Sequence, residues 1–229
     1  MSDELRLMGI RVSKKTVLKT LRENGFTPPK KRFDPPPWST VLDSLTRYWS
    51  MDSTCVFDMN GLQIFIFAVI EVPSRKLVLI NARTNPTNAR LIKQFRNCCI
   101  SGQVFPKAVV HDRGVLYGHW LADILLEFEC QSIKTPPRYP WHNSFVERFN
   151  LSIKTEILHR IILIEVDHVR VVCLSYQRFY NTMRPHQGLS GRIPCATKSD
   201  GINSIDLKNI EVFKSIEMGG LVTQFRLAA

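Results

Sequence analysis

Trp49-Ser-Met-Asp-Ser-Thr-Cys-Val-Phe57, then Asp58-Met-Asn-Gly61, then Leu62-Gln-Ile-Phe-Ile-Phe-Ala-Val-Ile-Glu-Val72 is the stretch on which the fold turns. In the first run Trp49, Met51, Cys55 and Phe57 share one face of a strand, while Ser50, Asp52 and Thr54 share the other. Asn60-Gly61 is the preferred pair for a type I′ hairpin turn. The second run is apolar on both faces, as in a strand covered from both sides. The reading is a hairpin of two long strands with the second one central.

Working outward, Pro73-Ser74 is a turn and residues 76–81 form a third strand. Residues 87–99 have helical spacing, with Ala89, Ile92, Phe95 and Cys99 on one side. A short strand at 107–110 ends at His111-Asp112-Arg113-Gly114, and a helix follows at about 118–128. A fifth strand, 130–134, is stopped by Pro136-Pro137, and two helices follow at 143–158 and 167–180. The order is three antiparallel strands, then alternation of helix and strand. It predicts an α/β fold with a mixed five-stranded sheet flanked by helices.

Before the sheet, Ser13 reads as an N-cap for a basic helix carrying Lys14, Lys15 and Lys19, stopped by Asn24-Gly25. Such a helix suits the recognition element of a helix-turn-helix, and only the last part of that motif is legible. A plain basic surface helix is the alternative. The stiff run from Phe33 to Trp38, with Pro35-Pro36-Pro37, marks a boundary. The expected organisation is a DNA-binding segment and linker at 1–34, a core at 35–198 and a C-terminal tail at 199–229.

The chain carries 31 Lys and Arg against 20 Asp and Glu, a formal net charge of +11. Residues 1–32 hold nine basic and three acidic residues, whereas residues 200–229 hold three and four. Localised positive charge points to a polyanionic partner. Charge alone fits DNA, RNA or an anionic membrane surface. No run reaches the roughly 20 apolar residues that cross a bilayer, and the N-terminus lacks an apolar signal core. A cytoplasmic protein is expected. Its six cysteines show no Cys-x-x-Cys spacing, so they read as reduced core thiols. With no Gly-x-x-x-x-Gly-Lys loop, a kinase or nucleotide-binding reading is set aside.

Three acids draw attention by position. Asp52 interrupts the middle of a strand, where Asp is disfavoured. Asp112 stands at the C-terminal end of a buried strand, where mixed α/β sheets present their sites. Glu147 lies on a helix whose Phe145, Val146, Phe149, Ile153 and Ile157 share an arc of about 120°. Glu147 and Lys154 fall about 20° apart on another face of that helix. Singly each acid has an ordinary explanation: a solvated strand residue, a turn cap, an exposed helix pair. Together they suit hard divalent cations, which take oxygen ligands and leave room for phosphate.

The contexts Trp49-Ser-Met-Asp52-Ser-Thr, Val110-His-Asp112-Arg-Gly and Asn143-Ser-Phe-Val-Glu147-Arg-Phe-Asn150 resemble the DDE triad of transposases and integrases, the retroviral integrase superfamily. Between Asp112 and Glu147 lie 34 residues, close to the separation usual in that family. Tyr180-Asn-Thr-Met-Arg184-Pro-His186-Gln-Gly-Leu189 is similar to the segment that follows the core in bacterial insertion-sequence transposases, and Gly219-Gly-Leu221 is similar to their ends.

The resemblance implies an RNase H-like fold and DNA strand cleavage and joining. It also implies Mg²⁺ or Mn²⁺, as two ions held by Asp52, Asp112 and Glu147. Lys154, Arg184 and the helix lysines Lys14, Lys15 and Lys19 would contact DNA, while His186 would brace a packed turn. Partners would be element ends and target DNA, with at least two copies of the chain acting together, associated with a bacterial nucleoid when bound to DNA. The competing readings are an RNase H-like nuclease acting on hybrids and a decayed DNA-binding remnant whose acids no longer hold metal.

Overall fold

The computed structural model describes residues 5–6, 8–26, 48–102, 105–112, 119–135, 143–195 and 212–227. It divides into two compact units, Pro35–Phe179 and Met1–Asp34 with Tyr180–Ala229. The proline-rich linker falls outside the described residues.

The first unit is built on a five-stranded sheet in the order β3-β2-β1-β4-β5. Its strands are β1 (Tyr48–Phe57), β2 (Gln63–Glu71), β3 (Leu77–Arg83), β4 (Ala108–His111) and β5 (Gln131–Lys134). The β1–β2 and β2–β3 pairs are antiparallel; β1–β4 and β4–β5 are parallel. The mixed sheet expected from the sequence is therefore present. β1 sits at its centre and β2 beside it.

Helices cover both faces because both faces of the inner strands are apolar. On one, Trp49, Met51, Phe67, Val69 and Val109 pack against Leu91, Phe95 and Cys99 of α2 (Asn88–Gly102) and Leu121, Ile124 and Leu125 of α3 (His119–Glu127). Trp49 meets Phe95 edge-on at 5.7 Å. On the other, Tyr48, Ala108 and Val110 are joined by Phe145 of α4 (Ser144–Glu156). α5 (Val166–Thr182) buries Val169, Cys173, Tyr176 and Tyr180 at spacings of four, three and four. Tyr176 lies 6.0 Å from Phe149, ring to ring, and its hydroxyl donates to Glu156.

Three expectations need correction. Asn60-Gly61 does not make a type I′ turn, since only Gly61 has a positive φ, 76°. The loop is longer because the Asp58 carboxylate accepts from the amides of Asn60 (2.9 Å) and Leu62 (2.8 Å), and Gly61 then takes the left-handed bulge position. The added Cβ of Gly61→Ala would meet nothing within 4 Å, so its cost is conformational alone. We expect a loss of about 1 kcal/mol in urea unfolding. Second, the central strand is β1 and not β2, and Ser50, on the face of β1 that also carries Asp52, is buried. Third, the tail contains an antiparallel hairpin of β6 (Val212–Glu217) and β7 (Val222–Leu227).

In the second unit, α1 (Lys14–Glu23) begins as expected, with the Ser13 hydroxyl accepting from the Thr16 amide at 3.0 Å, and Gly25 ends it at φ 80°. The six thiols are free; Cys99, Cys130 and Cys173 are buried, Cys55 and Cys98 half-buried and Cys195 exposed, so Cys195 is not a core residue. Among the described residues no helix is long and apolar enough to cross a membrane.

Candidate active site

The parallel register sets the first two acids side by side. β1 and β4 are paired through Met51↔His111, so Asp52 and Asp112 are the next residues on neighbouring strands. Adjacent strands run about 4.8 Å apart. His111, buried, holds the Asp112 backbone. Its Nδ1–H donates to the Asp112 carbonyl (2.6 Å), which leaves Nε2 to accept from the Ser132 hydroxyl (2.9 Å). Burial pushes the His111 ring below its ordinary pKa, consistent with this neutral tautomer.

α4 brings the third acid. Val146, Phe149 and Ile153 give it a buried stripe, and Glu147 stands in its first turn. Arg75 stacks on the Phe145 ring at 3.8 Å. Asn143, at the N-cap position, makes no capping bond. Instead it accepts from the Ser50 hydroxyl at 2.5 Å and donates to the Met51 carbonyl at 3.0 Å, with both side chains buried. Seven residues later Asn150 donates to Asp52 Oδ2 at 2.9 Å. Two amides thus tie one face of α4 to Ser50, Met51 and Asp52 of β1.

The acids sense one another. Asp52 is raised to about 6, mainly by burial and then by the charge of Asp112; the Ser53 amide, Asn150 and the ammonium of Lys154 pull the other way. Glu147 is raised to about 7, by burial and then by Asp52 and Asp112. The structure therefore brings Asp52, Asp112, Glu147 and Lys154 into one electrostatic neighbourhood. Among the described residues no three His, Cys, Asp or Glu side chains stand close enough to clasp one ion. The triad is coupled through space and not drawn onto a common point. The donor chemistry nevertheless fits a hard divalent cation: three carboxylates that repel one another.

Arg184 and the helix lysines belong to the other unit. The Arg184 guanidinium lies 5.6 Å from the centre of the Tyr180 ring, and Lys14, Lys15 and Lys19 are exposed, Lys19 pairing with Glu23 at 3.8 Å. His186 is buried, donates from Nε2 to the Tyr180 carbonyl (3.2 Å) and sets its ring edge-on to Tyr180. Sequence reasoning missed Ser50, Asn143 and Asn150. A signal existed for two of them: Asn143, Glu147, Asn150 and Lys154 are spaced four, three and four, a single polar helix stripe.

Residues 129–194 match the family described as the integrase core domain. That match includes Glu147, Asn150 and Lys154 but not Asp52 or Asp112. The HTLV-2 integrase catalytic core domain in complex with magnesium superposes with a TM-score of 0.51, covering 66% of this chain and 94% of that one at 14% identity. A simian T-cell lymphotropic virus intasome in complex with PP2A regulatory subunit B56 gamma gives 0.54 over 81% of this chain and 67% of that one, at 13% identity.

The fold is that of an integrase catalytic core.

In sequence, this chain is 29% identical over 161 residues to an insertion element IS476 uncharacterized 39.2 kDa protein of Xanthomonas euvesicatoria. The match takes in 65% of this chain and 42% of that protein, so the chain spans less than half the length of its relative.

Proposed function

We propose that the chain is the catalytic part of a transposase that cleaves and joins DNA strands. The observation that carries the reading is the meeting of Asp52, Asp112 and Glu147, from β1, the end of β4 and the first turn of α4, in one field of mutual repulsion. Asp52, Asp112 and Glu147 would hold Mg²⁺ or Mn²⁺, as a pair of ions. Bound there, such ions lower the pKa of an attacking hydroxyl and stabilise the charge of the departing oxygen.

The chain's own residues do the rest. Asn150 orients the Asp52 carboxylate through its 2.9 Å hydrogen bond. Asn143 fixes the start of α4, and with it Glu147, against β1. Lys154 offers a positive charge to a phosphate on the same face. In the first step water attacks a phosphodiester, the P–O bond to the leaving 3′-oxygen breaks, and that oxygen takes a proton. In the second, the freed 3′-hydroxyl loses its proton, attacks a target phosphodiester and displaces another 3′-oxygen. Both are in-line displacements that need no oxidant. The HTLV-2 core described in a trimeric form, and the intasome, support a reading in which several copies act together.

The test is a joining assay with a pre-cleaved duplex bearing a free 3′-hydroxyl and a supercoiled target, in Mn²⁺. Joined product, lost in Asp112→Asn and Glu147→Gln, is the expected result. Cleavage of the RNA strand of a hybrid without joining would move the chain to the nucleases. Absence of both, together with no binding of Mn²⁺ by calorimetry, would leave a DNA-binding remnant.

A further inference from the structure

Three arginines gather at the outer edge of the sheet, two strands removed from β1. Arg83 ends β3. With its amide oxygen turned toward them, Gln94 of α2 accepts from Arg83 Nη2 (3.0 Å), Arg83 Nε (3.1 Å) and Asn81 Nδ2 (2.6 Å). Arg90 stands four residues before Gln94, one turn away on the same helix face. Arg170 reaches over from α5: it pairs with Asp167, and its Nη2 donates to the carbonyl of Ala82, the residue before Arg83, at 3.4 Å.

The cluster is held by neutral groups more than by acids. Among the described residues only Arg170 of the three carries an ion pair, and Arg90 is exposed. Arg83 is pushed below its ordinary pKa by burial, then by Arg170 and Arg90, so the positive charges do act on one another. Three guanidiniums gathered with only one carboxylate between them are unfavourable until an anion with several acceptor oxygens binds across them. A second copy of this chain is a poor candidate, since it would bring another +11. Phosphate oxygens of a nucleic acid match both the charge and the fork geometry.

We propose that Arg83, Arg90 and Arg170 form a phosphate-binding site on the β3 edge that grips the backbone of duplex DNA, separate from the carboxylate face. The inference rests on DNA being the partner and not on the metal chemistry. It is tested by titrating a fluorescent mixed-sequence duplex with the full chain in EDTA, over a series of salt concentrations. Arg90→Ala should weaken binding severalfold for every duplex sequence, and make the slope of log K against log salt shallower by about one. Arg83→Lys keeps the charge but loses the fork, and should weaken binding while leaving the salt slope in place. Unchanged affinity and slope in Arg90→Ala, with wild type still binding, would overturn the edge site and leave the transposase reading standing. Loss of self-association in Arg90→Ala by light scattering, with DNA affinity unchanged, would overturn it in favour of a protein contact. A wild-type chain that binds no duplex at all would overturn both readings together.

Discussion

Glu147→Gln should lower strand joining about a thousandfold and at the same time raise the melting temperature of the metal-free protein at pH 8. The activity side follows from charge. In the proposed two-ion site, losing one carboxylate would remove several kcal/mol of transition-state stabilisation, and each 1.4 kcal/mol is about a tenfold change in rate. The stability side follows from repulsion. Glu147 is raised to about 7 in the folded chain from an ordinary 4.5, and Asp52 to about 6 from 3.8. Each folded-state pKa lies above its unfolded value, so the folded chain holds more protons across this window. Its stability therefore falls as pH rises from about 4 to about 7, and the penalty is complete above that. Glutamine keeps the shape and removes the charge. The variant should melt higher than wild type at pH 8 in EDTA and no higher at pH 4, where wild-type Glu147 is already protonated. A variant that melts lower at both pH values would show that Glu147 braces α4 and is not a strained acid.

Asn143→Ala should be the most damaging single change away from the carboxylates. It removes two buried hydrogen bonds and leaves the Ser50 hydroxyl and the Met51 carbonyl without these partners. An unsatisfied buried polar group costs about 1–3 kcal/mol, so the pair should cost about 3 kcal/mol. For a chain of this size that is a fall of roughly 6–12 °C in melting temperature. Joining should fall with it even at temperatures where the variant is fully folded, because Glu147 loses its fixed position relative to Asp52. The double variant Ser50→Ala/Asn143→Ala removes the orphaned hydroxyl as well, and should be less destabilised than the sum of the two single changes. Additive losses in that cycle would argue that the two side chains act separately.

The sheet was legible because periodicity is local. The Trp49–Phe57 alternation, the apolar run after it and the helical spacing of Ala89, Ile92, Phe95 and Cys99 each depend only on neighbours in the chain. The errors came where a side chain a few residues off, or a distant element, decided the outcome. Asp58 reaches forward to two amides and lengthens a hairpin whose Asn60-Gly61 pair alone favours a tighter turn. Ser50 looks like a surface residue until α4, 93 positions on, supplies Asn143 to satisfy its hydroxyl. The same distance hid the role of the two asparagines, although their heptad spacing with Glu147 and Lys154 was open to view. The tail hairpin was a different case: the β-branched and aromatic residues on either side of Gly219-Gly220 carried a usable signal, but the polar run before them drew the segment into a tail.

The two aspartates and the glutamate differ in what sets their positions. Asp52 and Asp112 both follow the last paired residues, Met51 and His111, of a parallel ladder, whose spacing the backbone fixes. Glu147 rides on a helix held to that ladder by amides. If the three acids hold an ion as proposed, adjustment to its size should fall on the helix. Mg²⁺ binds oxygen at about 2.0–2.1 Å and Ca²⁺ at about 2.3–2.6 Å, so under the proposed mechanism admitting the larger ion would shift α4 against the Ser50–Asn143 contact. On that reading the contact would act as a gauge of ionic radius, placed one turn away from the carboxylate whose position it governs.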